Sequence, residues 1–169
     1  MLARPRLSSH IAFKKVYAFE PNPLNFAELK RRTRNYSNIE TFEQAVSHET
    51  GTVRLYFEEP KPGYFYEGAT IVTGKSNVTY KQHFDVETTA ISDLLAEIDS
   101  DRIVIKMDIE GAEYIVLDAL LESGDLSRIT KIYVECHVDR IPKLAEPKKR
   151  VLEKARALGV TDKLDFTWP

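Results

Sequence analysis

Cysteine occurs once in 169 residues, at Cys136, and glycine only seven times, first at Gly51. A single cysteine closes no intrachain disulfide, which excludes a disulfide-stapled scaffold and points to a reducing compartment. The lack of glycine before position 51 excludes a phosphate-cradling glycine turn in that part of the chain. Apolar runs of bilayer length are missing, as is the apolar middle of a signal peptide, so the expected location is the cytoplasm. A surplus of one charge is missing too. The 24 Lys and Arg residues against 26 Asp and Glu leave a net charge of -2, with no general attraction to nucleic acid or anionic membrane. No repeat, low-complexity tract or linker breaks the chain.

What is present describes a globular protein, 43% hydrophobic and 30% charged, of a length for one domain over residues 1–169. Its organising stretch is residues 102–121, RIVIKMDIEGAEYIVLDALL. Ile103, Val104 and Ile105 have the composition of a strand buried on both faces of a parallel sheet. Ala112, Ile115, Val116, Ala119 and Leu120 then recur at helical spacing. Asp108, Glu110, Gly111 and Glu113 lie between, at the carboxyl end of a strand and the positive end of a helix dipole. By itself this favours a plain reading in which Asp108 caps the helix and Glu110 and Glu113 suit its first turn.

Taken in order, residues 1–10 are basic and irregular, and residues 11–13 end a short helix. Residues 15–19, KVYAF, form a strand ending on Glu20. Asn22 and Pro23 have the cap and first-turn chemistry of a helix over 24–34. Further strands are expected over 39–46 and 52–57, and a loop with Tyr64, Phe65 and Tyr66 over 58–68. Residues 70–73 and 77–88 suggest a hairpin turning near Gly74, or an edge pair, and a short helix covers 91–98, opened by Ser92 or Asp93. Residues 129–136 form a strand followed by His137, 147–158 a helix stopped by Gly159, and 163–168 a last strand. Alternating strands and helices predict an α/β fold with a largely parallel sheet.

Three strands thus end in polar groups, at Glu20, at Asp108, and at Glu135 with His137, and a parallel sheet brings such ends to one edge. An acid in the position of Glu20 suits the two hydroxyls of a ribose. In order, VYAFEPNPLNFAEL, EQAVS, TTAISDLL, IVIKMDIEGAEYIVLDAL and IYVECH resemble the FkbM family of S-adenosylmethionine-dependent methyltransferases over most of residues 15–137. The resemblance implies a Rossmann-like class I methyltransferase sheet and methyl transfer to an oxygen, on a small molecule or sugar. It implies that Glu20 binds the cofactor ribose, that Gln44 and Ala45 line the adenine, and that Asp108 lies beside donor and acceptor. Asp108 and His137 are the candidates for a base.

The chain departs from the family pattern where a first strand and a glycine turn would precede Glu20. It is therefore expected to be N-terminally truncated, with an incomplete sheet that favours self-association. Ile91-Ser92, where the family tends to Leu-Asp, and Gly68-Ala69-Thr70, where it often has paired serines, depart less. The alternative to a methyltransferase is a non-catalytic remnant without productive cofactor binding. A nicotinamide-dependent oxidoreductase would share the role of Glu20 but also needs the glycine turn. Asp108, Glu110, Glu113 and His137 are metal-ligand types whose spacing is diagnostic of no ion, and no metal is assigned.

Overall fold

The structure, a computed structural model, describes residues 13–57, 68–75, 78 and 80–167. The expected helix end at 11–13 and the aromatic loop lie mostly outside these residues. Strand β1 (Val16–Phe19) leads to helix α1 (Pro23–Thr33). The side chain of Asn22 accepts the Leu24 N–H at 3.0 Å, and Pro23 opens the first turn. The carbonyls of the last turn face Lys30, Arg31 and Arg32, charges that suit a helix C-terminus.

The expected strand over 39–46 is two strands, β2 (Ile39–Phe42) and β3 (Ala45–Ser47). The chain changes sheets between them. Strand β2 pairs in parallel with β1, whereas β3 pairs in parallel with β5 (Gln82–Ala90). Strand β4 (Gly51–Phe57) runs antiparallel along β5 over its whole length. The hairpin partner of 77–88 is therefore β4 and not residues 70–73, which turn and touch β4 through one bridge between Thr70 and Tyr56. A seven-residue ladder outweighs a local turn as a source of backbone hydrogen bonds. Helix α2 (Ile91–Glu97) follows β5 without a linker, and no side chain caps it, neither Ser92 nor Asp93.

Strand β6 (Ile103–Met107), helix α3 (Glu113–Ser123), strand β7 (Ile129–Val134), helix α4 (Ala145–Ala157) and strand β8 (Leu164–Asp165) complete the order. Both β6 and β8 pair in parallel with β7. Four of the five strand pairings are thus parallel, as the alternation predicts. They are divided among three separate sheets, β1–β2, β3–β5–β4 and β6–β7–β8.

The main core lies on one face of β6–β7–β8. Leu95 of α2, Val116, Leu117 and Leu120 of α3, Ile132 and Val134 of β7, and Val151 and Ala155 of α4 are each at most 2% exposed within it. The other face is open: Val104 is 40% exposed and Tyr133 38%. Strand β6 is therefore not buried on both faces, because the helices cover one side of its sheet. Ile115 likewise falls outside the expected apolar stripe and is exposed, since α3 is packed by α2 and α4 through its other positions. Helix α1 buries no residue, so the β1–β2 unit is held mainly by its own ladder and by the Phe19–Phe42 stack at 4.7 Å.

Among the described residues, no strand hydrogen-bonds to the second edge of β1 or of β6, whereas β7 is paired on both sides. Native-state hydrogen exchange is expected to find β7 the best protected strand and β1 and β6 markedly faster. Equal protection of all three would mean that another segment covers those edges.

Candidate functional site at the strand ends

After Met107, five residues connect β6 to α3. Glu110 adopts φ 55° and Gly111 φ 112°, left-handed values that are uncommon in a non-glycine residue and restrictive in the second. A Cβ on Gly111 would also meet Ile141 Cδ1 at 2.7 Å, so this glycine answers to both backbone and space. The turn is closed from inside the helix. Glu113, the first residue of α3, turns its carboxylate back so that Oε1 accepts the N–H groups of Ile109 at 3.2 Å and Gly111 at 3.1 Å. Asp108 does not cap the helix: the cap position is Ala112, with no side-chain bond. That frees Asp108 to face outward, with its side chain 40% exposed.

Strand β7 emerges beside this turn, and the Glu135 N–H donates to the Met107 carbonyl at 2.9 Å. His137 follows, 1% exposed. Its Nδ1 lies 2.8 Å from Glu113 Oε1. Its Nε2 lies 3.3 Å from Glu110 Oε2, 3.7 Å from Glu135 Oε1 and 3.9 Å from Asp108 Oδ1. Neither ring nitrogen makes a hydrogen bond of regular geometry, so these contacts are ionic in character. Burial would lower the pKa of His137, but contact with Glu110 and Glu113 overrides it and pushes the value up to about 10. Burial would raise Glu110, yet His137 and Lys75 bring it down to about 2. Asp108 goes the other way, up to about 6, through burial and then the charges of Glu135 and Glu110.

Two residues hold Glu110 in place: Lys75, which carries no mark in the sequence, and Thr70, which the sequence marks only as a departure from the family's paired serines. Lys75 is 2% exposed. Its Nζ donates to Glu110 Oε2 at 2.5 Å and to the Gly68 carbonyl at 2.7 Å. Thr70, fully buried, donates its hydroxyl to the Glu110 carbonyl at 2.7 Å. Residues 68–75 thus hold both ends of Glu110 in its left-handed conformation. A lysine beside a glycine in a turn reads as a solvated charge, and only its burial against Glu110 reveals the role.

Glu20 lies within electrostatic reach of this cluster. Burial raises its pKa, with the charge of Asp108 adding to it, against the lowering effect of the Asn22 N–H and the Asn25 side chain. The Glu20 N–H donates to the Phe42 carbonyl at 3.0 Å, which sets the end of β1 beside the crossing from β2 to β3. That crossing carries Gln44 and Ala45. The Gln44 amide donates to Glu87 at 3.1 Å and accepts from Thr89 at 3.1 Å, while Ala45, 7% exposed, packs with Leu55 and Val86. The arrangement therefore joins Asp108, Glu110, Glu113, Glu135 and His137 in direct contact, with Glu20 within electrostatic reach of Asp108. It ties Gln44 and Ala45 to β5. Asp108, Glu110 and His137 each offer a donor atom within 4.8 Å of the others, as ligands of an ion would.

Acids gathered at the carboxyl ends of parallel strands, beside a strained turn, lie where α/β proteins commonly bind ligands. The family follows from comparison with known domains. A family model, the methyltransferase FkbM domain, matches residues 11–159, and the chain belongs to that family. No curated protein and no solved structure matches it significantly. Among the described residues no helix is long and apolar enough to cross a membrane.

The buried Lys75–Glu110 pair should show in stability. Lys75→Met leaves Glu110 without its nearest cation and is expected to cost about 3 kcal/mol, the low end for a broken buried pair because Glu110 keeps 20% exposure. In a double-mutant cycle with Glu110→Gln, denaturant unfolding should give a coupling of about 1–2 kcal/mol. Additive losses would mean that the two groups do not support each other.

Proposed function

We propose that the chain is an S-adenosylmethionine-dependent methyltransferase with a Rossmann-like sheet, acting on an oxygen of a small molecule or sugar. Membership of the FkbM family supports methyl transfer. The observation that carries the site is the meeting of Asp108, Glu110, Glu135 and His137 at the ends of two parallel strands, with Glu20 within electrostatic reach of Asp108. The cofactor's sulfonium would supply the reactive methyl group.

The residues suit such a cofactor. The Glu20 carboxylate, half-buried at a strand end and engaged at Oε1 by the Asn22 N–H at 2.9 Å, retains lone pairs for ribose hydroxyls. Gln44 and Ala45, on the crossing set beside Glu20 by the Phe42 carbonyl, form the wall for the adenine. Counted with Glu113 and Glu20, the acids Asp108, Glu110 and Glu135 outnumber the cations Lys75, Lys106 and His137, a negative field that favours a cation. Asp108 is the most exposed of these acids and meets the acceptor, orienting its hydroxyl or taking its proton. His137 is buried beneath the carboxylates, does not reach an acceptor, and positions Glu110 and Asp108. Alignment is the larger part of the task, since acceptor, methyl group and leaving sulfur must lie in line.

Residues 1–50 hold no glycine, so this 169-residue chain by itself is expected to bind mainly through the adenosine half. Each backbone hydrogen bond absent from the charged methionine end costs on the order of 1.5–3 kcal/mol. Calorimetric titration should find S-adenosylmethionine bound within about tenfold of adenosine, and Glu20→Ala should weaken both at least about tenfold, or about 1.4 kcal/mol. Tight binding selective for S-adenosylmethionine would overturn the adenosine-dominated account. Binding of neither ligand would overturn the methyltransferase reading and leave a non-catalytic domain.

A further inference from the structure

We propose that Asp108, Glu110 and His137 form a binding site for one divalent metal ion of the manganese type. The donor separations suit such an ion. An octahedral centre with bonds of about 2.1 Å sets neighbouring donors about 3.0 Å apart and opposite donors about 4.2 Å apart. Here Nε2 of His137 lies 3.3 Å from Glu110 Oε2 and 3.9 Å from Asp108 Oδ1. Glu135 Oε1, 3.7 Å from the same nitrogen, is a fourth donor within reach. One imidazole with two or three carboxylates and no thiolate fits manganese, with zinc or iron as nearer competitors than calcium.

The acids alone would not make a site. The independent observation is the histidine behind them. His137 is 1% exposed, its Nε2 has no hydrogen-bond partner, and that nitrogen points into the carboxylates. Its other nitrogen faces Glu113, a fully buried carboxylate held in place by the Ile109 and Gly111 amides. A carboxylate behind one ring nitrogen, with the other nitrogen aimed at oxygen donors, is how proteins orient a metal-ligating histidine. In the ion-free chain a proton on Nε2 and the ammonium groups of Lys75 and Lys106 balance the acids in part. A divalent ion takes the place of that Nε2 proton, which leaves to solvent, and supplies two charges where there was one. Glu110 remains able to serve both partners, because each carboxylate oxygen has two lone pairs.

Metal binding itself stands apart from methyl transfer. Its use in catalysis rests on the reading above, in which an ion bound at Asp108 would polarise an acceptor hydroxyl there. The test therefore uses neither cofactor nor acceptor. The full chain, stripped with a chelator, is titrated with Mn²⁺ while electron paramagnetic resonance follows loss of the free-ion signal. Thermal unfolding is recorded alongside. About one Mn²⁺ per chain and a rise in Tm are expected. Asp108→Asn, at a side chain exposed enough to leave folding intact, should weaken Mn²⁺ binding at least about tenfold, whereas Glu153→Gln on the exposed side of α4 should leave it unchanged. Glu113→Gln, if it folds, should also weaken Mn²⁺. No Mn²⁺ binding, or binding that Asp108→Asn leaves as tight as before, overturns the site whatever the outcome with S-adenosylmethionine.

Discussion

The contact on which the site depends is that of the Glu113 carboxylate with the turn and the histidine around it. Oε1 accepts two backbone N–H groups from residues 109 and 111 and lies 2.8 Å from His137 Nδ1. One oxygen thus closes the β6–α3 turn from inside the helix and sets a carboxylate against one nitrogen of the ring. Everything outward follows from it. The ring presents Nε2 to Glu110, Glu135 and Asp108, and the left-handed pair Glu110–Gly111 throws the Glu110 side chain toward Lys75. An acidic group buried without exposure would be costly without such partners, so the turn, the histidine and the carboxylate stand or fall together.

Around this centre the architecture divides into units with separate backbone ladders. Sheet β6–β7–β8 carries the main core, and β3–β5–β4 has a smaller one of its own. The β1–β2–α1 unit brings no buried helix side chain to either. The proposed site draws on all three. Asp108, Glu110, Glu113 and His137 come from the first, Gln44 and Ala45 from the entry to the second, and Glu20 from the third. A ligand spanning Glu20 and Asp108 would bridge units that the backbone ladders leave separate, and binding would then add to stability by linkage.

Much of this was legible from residues alone. The cap Asn22 and first-turn Pro23, the stop at Gly159, and the parallel pairing around β7 all follow from local chemistry and alternation. So do the strand-end positions of Glu20, Asp108 and Glu135, because strands of period 2 with turn residues after them leave little choice of boundary. The failures are equally specific. The run 39–46 has one continuous strand pattern, yet the chain changes sheets inside it. Residues 70–73 resemble half of a hairpin, but β4 offers β5 a longer ladder. Val104 and Ile115 satisfy the periodicities of buried positions and are exposed.

What the sequence by itself determined is the kind of element at each point and the presence of acids at the strand ends, since both depend on neighbours within a few residues. Tertiary structure alone decided which of those acids share a site and what charge each carries. Lys75 and Thr70 lie 35 and 40 residues from Glu110, and His137 lies 24 positions beyond Glu113. Lys75 has the look of a solvated lysine, and although Thr70 and His137 are marked by position, nothing local makes them partners of Glu110 and Glu113. Burial makes the difference. It removes water as a competing partner, so that a lysine and a histidine of ordinary appearance must find carboxylates, and those carboxylates must be the ones that the fold has brought within reach.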